Sequence, residues 1–190
     1  MAGGHNRGCS TCTRREQAHT VQDVIIHPGF EANINKGHPN DIALLELATN
    51  VVLDNITARV IELPPESNTF AGQSCTIVGW GMTRPGIYAD ELRKTSLPVL
   101  TGEQCLLYWP QANQTTHICV YDTSDRISAC NGDEGSPMMC QHNGQTVLAG
   151  VSSFVVNGCL YKPSVYTRVS EYKTWICEET DGALAYCNRP

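Results

Sequence analysis

Aromatic residues are scarce in this chain: Phe, Tyr and Trp make up 7% of its 190 residues. Charged residues are few as well, at 17%, and the net charge is −6. No basic cluster exceeds Arg14-Arg15, which excludes the electrostatic footprint of a nucleic-acid partner. Long apolar runs are missing too. The longest strongly apolar stretch, Ile42–Leu47, is interrupted by Glu46, far below the roughly 18 residues of a membrane span. Gly (16) and Pro (10) are too few for a collagen-like chain, and 41% hydrophobic content excludes wholesale disorder. Met1–Ser10, MAGGHNRGCS, has neither an apolar nor a basic leader region, so it does not read as a signal peptide.

Cysteine, by contrast, is abundant. Ten in 190 residues is more than an ordinary cytosolic enzyme carries and points to an oxidising, secreted compartment. Without a leader, such a chain reads as a mature fragment, a truncated gene model or an intracellular metal protein. Spacing argues against metal: the only C-x-x-C pair is Cys9/Cys12, and no second pair completes a tetrahedral site. No βαβ pattern surrounds that pair, so a redox role is not expected either. Two sequons, Asn55-Ile56-Thr57 and Asn113-Gln114-Thr115, fit export.

The length suits one domain with a substantial core. Short strand-like runs recur throughout: 20–27, 41–48, 75–81, 93–101, 117–121, 138–142, 145–154 and 164–169. Asn143-Gly144 between two of them is a strong hairpin signal. Helical character concentrates at 171–179, where Ser170 is placed to act as N-cap. Strands at this spacing with a terminal helix predict an all-β barrel or sandwich.

The segment Ser128–Cys140 reads SACNGDEGSPMMC. On its own it is a turn-rich loop between cysteines. It also resembles the Gly-Asp-Ser-Gly-Gly-Pro nucleophile loop of the chymotrypsin-like serine proteases. Further colinear matches are Asn40-Asp41-Ile42-Ala43-Leu44-Leu45, resembling the triad-aspartate strand, and Cys75-Thr-Ile-Val-Gly-Trp-Gly81. His117-Ile-Cys119, Val165-Tyr-Thr-Arg-Val169 and the Trp175-Ile176 helix complete the series. The resemblance runs from about Ala2 to Ile176. It implies a chymotrypsin-like double antiparallel β-barrel with a C-terminal helix and an incomplete first barrel. The protease domain is expected over 1–177, with a C-terminal tail over 178–190.

The resemblance also implies disulfides Cys75–Cys140, Cys105–Cys119 and Cys130–Cys159. Cys177 and Cys187 lie beyond the family's helix and are expected to pair with each other. Cys9 and Cys12 fall in a loop where the family often binds calcium. There Gly4 stands for the first carboxylate and Glu16 is a lone candidate ligand; a hard cation needs several oxygens, so no metal or other cofactor is assigned.

Triad chemistry needs a hydroxyl nucleophile, an imidazole base and an orienting carboxylate. Asp41 matches the carboxylate, but the nucleophile position holds Glu134. A carboxylate is a weak nucleophile whose attack on a peptide would give a labile anhydride. Its charge could also fill the oxyanion hole offered by the Gly132 and Glu134 N–H groups. No Ala-Ala-His-Cys-like segment precedes Asp41. Of the six histidines, His27 reads as a strand-end residue, and His38 lies three residues before Asp41 in a position unsuited to triad duty. Ser136, two residues past Glu134, is displaced from productive geometry.

The specificity pocket departs from the family pattern as well: Ser128 at the base, Phe154 and Val155 in the wall strand, and Ser164 in the opposite wall. Phe154 is expected to stack against peptide. Asp133 matches the family aspartate that pairs with a new amino terminus after zymogen cleavage. No Ile-Val-Gly-Gly-like start is present, so Asp133 should find another partner, turn to water or be neutral. Together these features predict a secreted, non-catalytic protease homologue that binds a protein partner or competes for protease substrates. Two alternatives are a trypsin-family endopeptidase whose full-length form is active, and a disulfide-stapled structural or matrix protein. Met1 is expected to be an internal methionine of a longer secreted chain.

Overall fold

The computed structural model describes residues 2–7, 16–184 and 187; Cys9 and Cys12 lie outside them. Two antiparallel strands, β1 (Val21–Ile26) and β2 (Ala43–Leu47), form a ribbon in the first half. The second half holds β3 (Ser74–Gly79), a small hairpin of β4 (Met82–Arg84) and β5 (Ile87–Tyr88), and β6 (Arg93–Pro98). These are followed by helix α1 (Gly102–Tyr108), β7 (His117–Val120), β8 (Pro137–His142), β9 (Gln145–Phe154) and β10 (Ser164–Arg168). Helix α2 (Lys173–Glu179) comes last.

Six strands make one antiparallel sheet in the order β6-β3-β8-β9-β10-β7. A bridge between Val99 and Val120 joins the region after β6 to β7, reinforced by Leu100 N–H donating to Cys119 O at 2.9 Å. The two edges thus meet and the sheet curls into a barrel, leaving few unpaired edge groups. Inside lie Phe70, Ile77, Ile118, Val120, Met138 and Tyr166. Gly150 allows the curl: a Cβ there would stand 2.9 Å from the Tyr166 Cβ.

Local chemistry sets the turns. Asn143 (φ 49°) and Gly144 (φ 78°) both take the left-handed conformation, the geometry a two-residue hairpin with right-twisted strands requires. Thr101 and Gln104 form a capping box on α1: Gln104 N–H donates to Thr101 Oγ1 at 3.1 Å and Thr101 N–H to Gln104 Oε1 at 2.9 Å. The terminal helix differs from its expected start. Ser170 sits in a 3-10 turn, Val169–Tyr172, and its hydroxyl donates to Asn68 O at 3.3 Å. Helix α2 therefore begins at Lys173, without a side-chain cap.

A separate cluster of Ile42, Val169, Tyr172, Trp175 and Ile176 binds the ribbon to α2, with Ile25 and Leu44 packed against it. Among the described residues four disulfides are formed: Cys75–Cys140, Cys105–Cys119, Cys130–Cys159 and Cys177–Cys187. The first joins β3 to β8 across 65 residues of chain, a long loop whose closure restricts the unfolded state strongly. Replacing both Cys75 and Cys140 by Ala is expected to lower stability by about 2–5 kcal/mol, read as a lower urea midpoint.

Candidate functional site

Asp41 stands at the entrance to β2, where the chain leaves the ribbon's connection and meets the barrel. Asn40 directs it there. Its backbone is left-handed (φ 54°), a conformation asparagine tolerates, and its side chain is held at both ends. Asn40 Nδ2 donates to Gly29 O at 2.9 Å, and Oδ1 accepts from the Tyr172 hydroxyl at 3.1 Å. The Asp41 carbonyl accepts from Thr167 Oγ1 at 2.7 Å. Its carboxylate Oδ2 accepts from Ser153 Oγ at 2.6 Å. Among the described residues no histidine ring is hydrogen-bonded to this carboxylate.

The loop from Cys130 to Pro137 is organised by Asp133. Its Oδ1 accepts from Gly81 N–H at 2.7 Å and its Oδ2 from Cys130 N–H at 2.9 Å. The carboxyl fits only because glycines face it: a Cβ on Gly79 or Gly81 would lie 1.9 or 2.4 Å from its oxygens. Burial pushes the Asp133 carboxyl above its ordinary range, against the two backbone donors. Gly132 then turns with φ 93°, and its N–H donates to Glu134 Oε2 at 2.7 Å. Tyr88 of the β4–β5 hairpin lies directly over Gly132, where a Cβ would stand 2.7 Å from its ring. The Arg7 guanidinium sits 5.1 Å from the centre of the Tyr88 ring. Ser136 turns inward, its hydroxyl toward Gly79, and it makes no bond to Asp41 or to a histidine among the described residues.

Of the four residues expected to shape a specificity pocket, Ser164 meets the neighbour of Ser128 through Ala129 N–H, and Phe154 pairs with Val165 beside Ser164. Ser128 lines a cavity of about 960 Å³ that takes in none of the other three. Its hydroxyl is bound to the Cys159 and Ala129 carbonyls. Ser164 is 1% exposed and accepts from Ala129 N–H at 3.1 Å, while Val155 packs against the barrel core. Phe154 corrects the expectation of peptide stacking: it is 6% exposed, edge-on to Trp109 at 5.2 Å between ring centres. His38 leans on the same ring at 5.7 Å. Trp109 is itself fixed by Nε1–H donating to Pro163 O at 2.9 Å.

Elsewhere, Glu16 is half-buried, with Oε1 facing Gly4 at 3.8 Å from where a Cβ would be. Among the described residues no three His, Cys, Asp or Glu side chains converge to hold a metal ion. Among the described residues no helix is long and apolar enough to cross a membrane. Asn55 and Asn113 are both exposed.

A family model described as Trypsin matches residues 3–176. The chain is 40% identical over 176 residues to the fibrinolytic enzyme, isozyme C, of Lumbricus rubellus, covering 86% of this chain and 71% of that one. It is 38% identical over 183 residues to chymotrypsin-like elastase family member 1 of Rattus norvegicus, covering 93% and 67%. The human protein of the same name is 38% identical over 184 residues, covering 93% and 69%. The chain belongs to the trypsin family of serine proteases. Its barrel, its curled sheet and its short terminal helix are those of a chymotrypsin-like fold.

Within this trypsin-family site, Ser153, Thr167 and Tyr172 escape sequence reading although they hold Asp41 and its neighbour Asn40. The available signal is a run of hydroxyls, Ser152-Ser153 and Ser164, inside strands otherwise built for burial; a buried hydroxyl needs a partner. His117 is also informative. It is 4% exposed, and Nδ1 accepts from Asn113 N–H at 2.9 Å, so the ring is the neutral tautomer protonated at Nε2. Burial holds it below the ordinary imidazole range, with Asp41 acting in the opposite direction.

Two outcomes are expected from this geometry. A Ser153→Ala variant leaves Asp41 Oδ2 without its donor and should lose about 1–3 kcal/mol of stability, measured by urea unfolding. For His117 the unfolded chain has the higher pKa and takes up the proton first as pH falls. Its contribution is therefore complete above the ordinary histidine value of about 6.5 and declines as pH drops from there toward the lower folded value. Subtracting the His117→Gln stability profile from that of the parent between pH 7.5 and 5 (spanning about 6.5) should isolate this slope. A flat difference would contradict the assignment.

Proposed function

We propose that this chain is a secreted trypsin-family homologue that binds protein without cleaving it, and so acts on proteolysis by occupying partners or substrates. The observation that carries the reading is the 2.7 Å bond from Gly132 N–H to the Glu134 carboxylate. Glu134 takes the position of the nucleophile, and its carboxylate lies on a donor that acyl-transfer chemistry reserves for the oxyanion of the tetrahedral intermediate. A negative charge fixed there opposes both the arrival of a carbonyl oxygen and the charge it would develop. Cleavage is disfavoured at the nucleophile end of the site, whereas the disulfide-stapled barrel remains a rigid binding scaffold. Secretion is supported by the four disulfides and by exposed Asn55 and Asn113, each in a sequon open to glycosylation.

A second reading, that a longer form of the protein is a working endopeptidase, is favoured by the ordered Asp41 and by relatives named as an enzyme and as elastase family members. In that case the codon for Glu134 should prove to encode serine on resequencing. A fluorophosphonate probe decides the chemistry on the natural protein. Absence of labelling, together with no hydrolysis of peptide substrates, is the expected result. Covalent labelling at any serine, Ser136 included, would overturn the non-catalytic reading.

A further inference from the structure

The chain contains three Asn-Gly pairs: Asn131-Gly132, Asn143-Gly144 and Asn157-Gly158. In such a pair the glycine nitrogen can approach the preceding side-chain amide without a Cβ in the way. Sequence alone gives the three the same chemistry, but their surroundings differ. The peptide unit between Asn131 and Gly132 is held at both ends. Met82 N–H donates to Asn131 O at 2.9 Å, and Gly132 N–H donates to Glu134 Oε2 at 2.7 Å. Among the described residues neither the Gly144 nor the Gly158 N–H donates to a carboxylate. The Asn131 side-chain amide has no hydrogen-bond partner among the described residues. It borders an open cavity, so it can turn about its own bonds and water can reach it.

A donor on a peptide oxygen and an acceptor on the same peptide's N–H polarise the amide in one direction, each bond strengthening the other. The Gly132 nitrogen is therefore primed to lose its proton. The group that faces this proton is a carboxylate, at the separation required of a general base.

We propose that Asn131 is a site of self-deamidation, with Glu134 as the base. The Glu134 carboxylate takes the proton from Gly132 N, and the nitrogen's electron pair forms a bond to Asn131 Cγ. The Cγ–Nδ2 bond then breaks and the proton passes to Nδ2, so that ammonia leaves and a five-membered imide remains. Water opens the imide at either carbonyl, giving aspartate or isoaspartate at position 131. Isoaspartate routes the main chain through the former side chain and so moves the Gly132 N–H off Glu134. Either product adds a carboxylate beside Asp133. The proposal rests on the Gly132–Glu134 bond and not on the absence of cleavage: fluorophosphonate labelling at another serine would overturn the non-catalytic reading and leave this one standing.

Peptide mapping by mass spectrometry, after incubation of the folded chain in heavy-oxygen water at neutral pH, tests it. Label is expected at position 131 about ten times faster than at 143 or 157. Glu134→Gln keeps a side-chain acceptor but removes the base, and should bring position 131 down to the rate of the other two without changing theirs. A urea midpoint equal to that of the parent establishes that this variant is folded. Incubation of the parent in denaturing urea should likewise bring the three rates together, since the Met82 and Glu134 contacts are then lost. Labelling at 131 no faster than at 143 and 157 would overturn the proposal. So would a fast rate that survives Glu134→Gln, which would make the carboxylate a spectator, or one that survives unfolding, which would place the cause in the local sequence.

Discussion

The half-buried carboxyl of Asp133 is the constraint on which the candidate site depends. Removing a carboxyl from water is costly unless its oxygens find donors, and here each oxygen has a backbone N–H at hydrogen-bond distance. The arrangement needs Gly79 and Gly81, because a side chain at either would collide with the carboxyl itself. It also needs the Cys130–Cys159 bridge, which holds the start of the loop against the wall on the far side. With Asp133 anchored, the chain has to reverse within two residues. Gly132 takes the left-handed conformation, and the Tyr88 ring fills the space beside it that a Cβ would otherwise claim.

That reversal presents the Gly132 N–H to the side chain two residues ahead. A serine there would be too short to satisfy Gly132 in this way and would leave the N–H for a substrate oxygen. Glutamate satisfies it internally. At the other end of the site Asp41 accepts from Ser153, 112 residues away in sequence, and losing either bond leaves a polar atom without its partner.

The sequence reports local physics well and distant contacts poorly. Strand alternation and the Asn143-Gly144 turn predict β8 and β9 with their hairpin, because both signals act over a few residues. The capping pair Thr101 and Gln104 was equally visible, yet a helix of seven residues lacks the periodicity that draws attention to longer ones. The β4–β5 hairpin is shorter still and turns on Pro85-Gly86. Ser170 has the right chemistry for an N-cap but is drawn to Asn68 O by tertiary packing. In the site, the identities of Asp41 and Glu134 are legible; their partners are not. Ser153 reaches Asp41 only after the barrel closes, and Phe154 is buried only because Trp109, forty-five positions earlier in the chain, supplies a surface for it.

The ribbon of β1 and β2 shows the same division between pattern and context. Two paired strands are marginal alone in water and need a face to pack against. One face has it: Ile25 and Leu44 rest on the Tyr172–Ile176 cluster. The opposite face is also apolar, with Val24, Ile26 and Leu45 exposed at 52%, 56% and 59%. Strands apolar on both faces are those of a sheet covered on both sides, so their composition reads as a barrel wall although, among the described residues, Val24, Ile26 and Leu45 are left exposed. Asp41 enters β2 from this ribbon, and its position is fixed by the covered face, through Ile42, and by the Asn40–Tyr172 bond. The carboxylate is therefore held by the contact between ribbon and terminal helix, which does not involve the exposed Val24, Ile26 and Leu45 of the outer face.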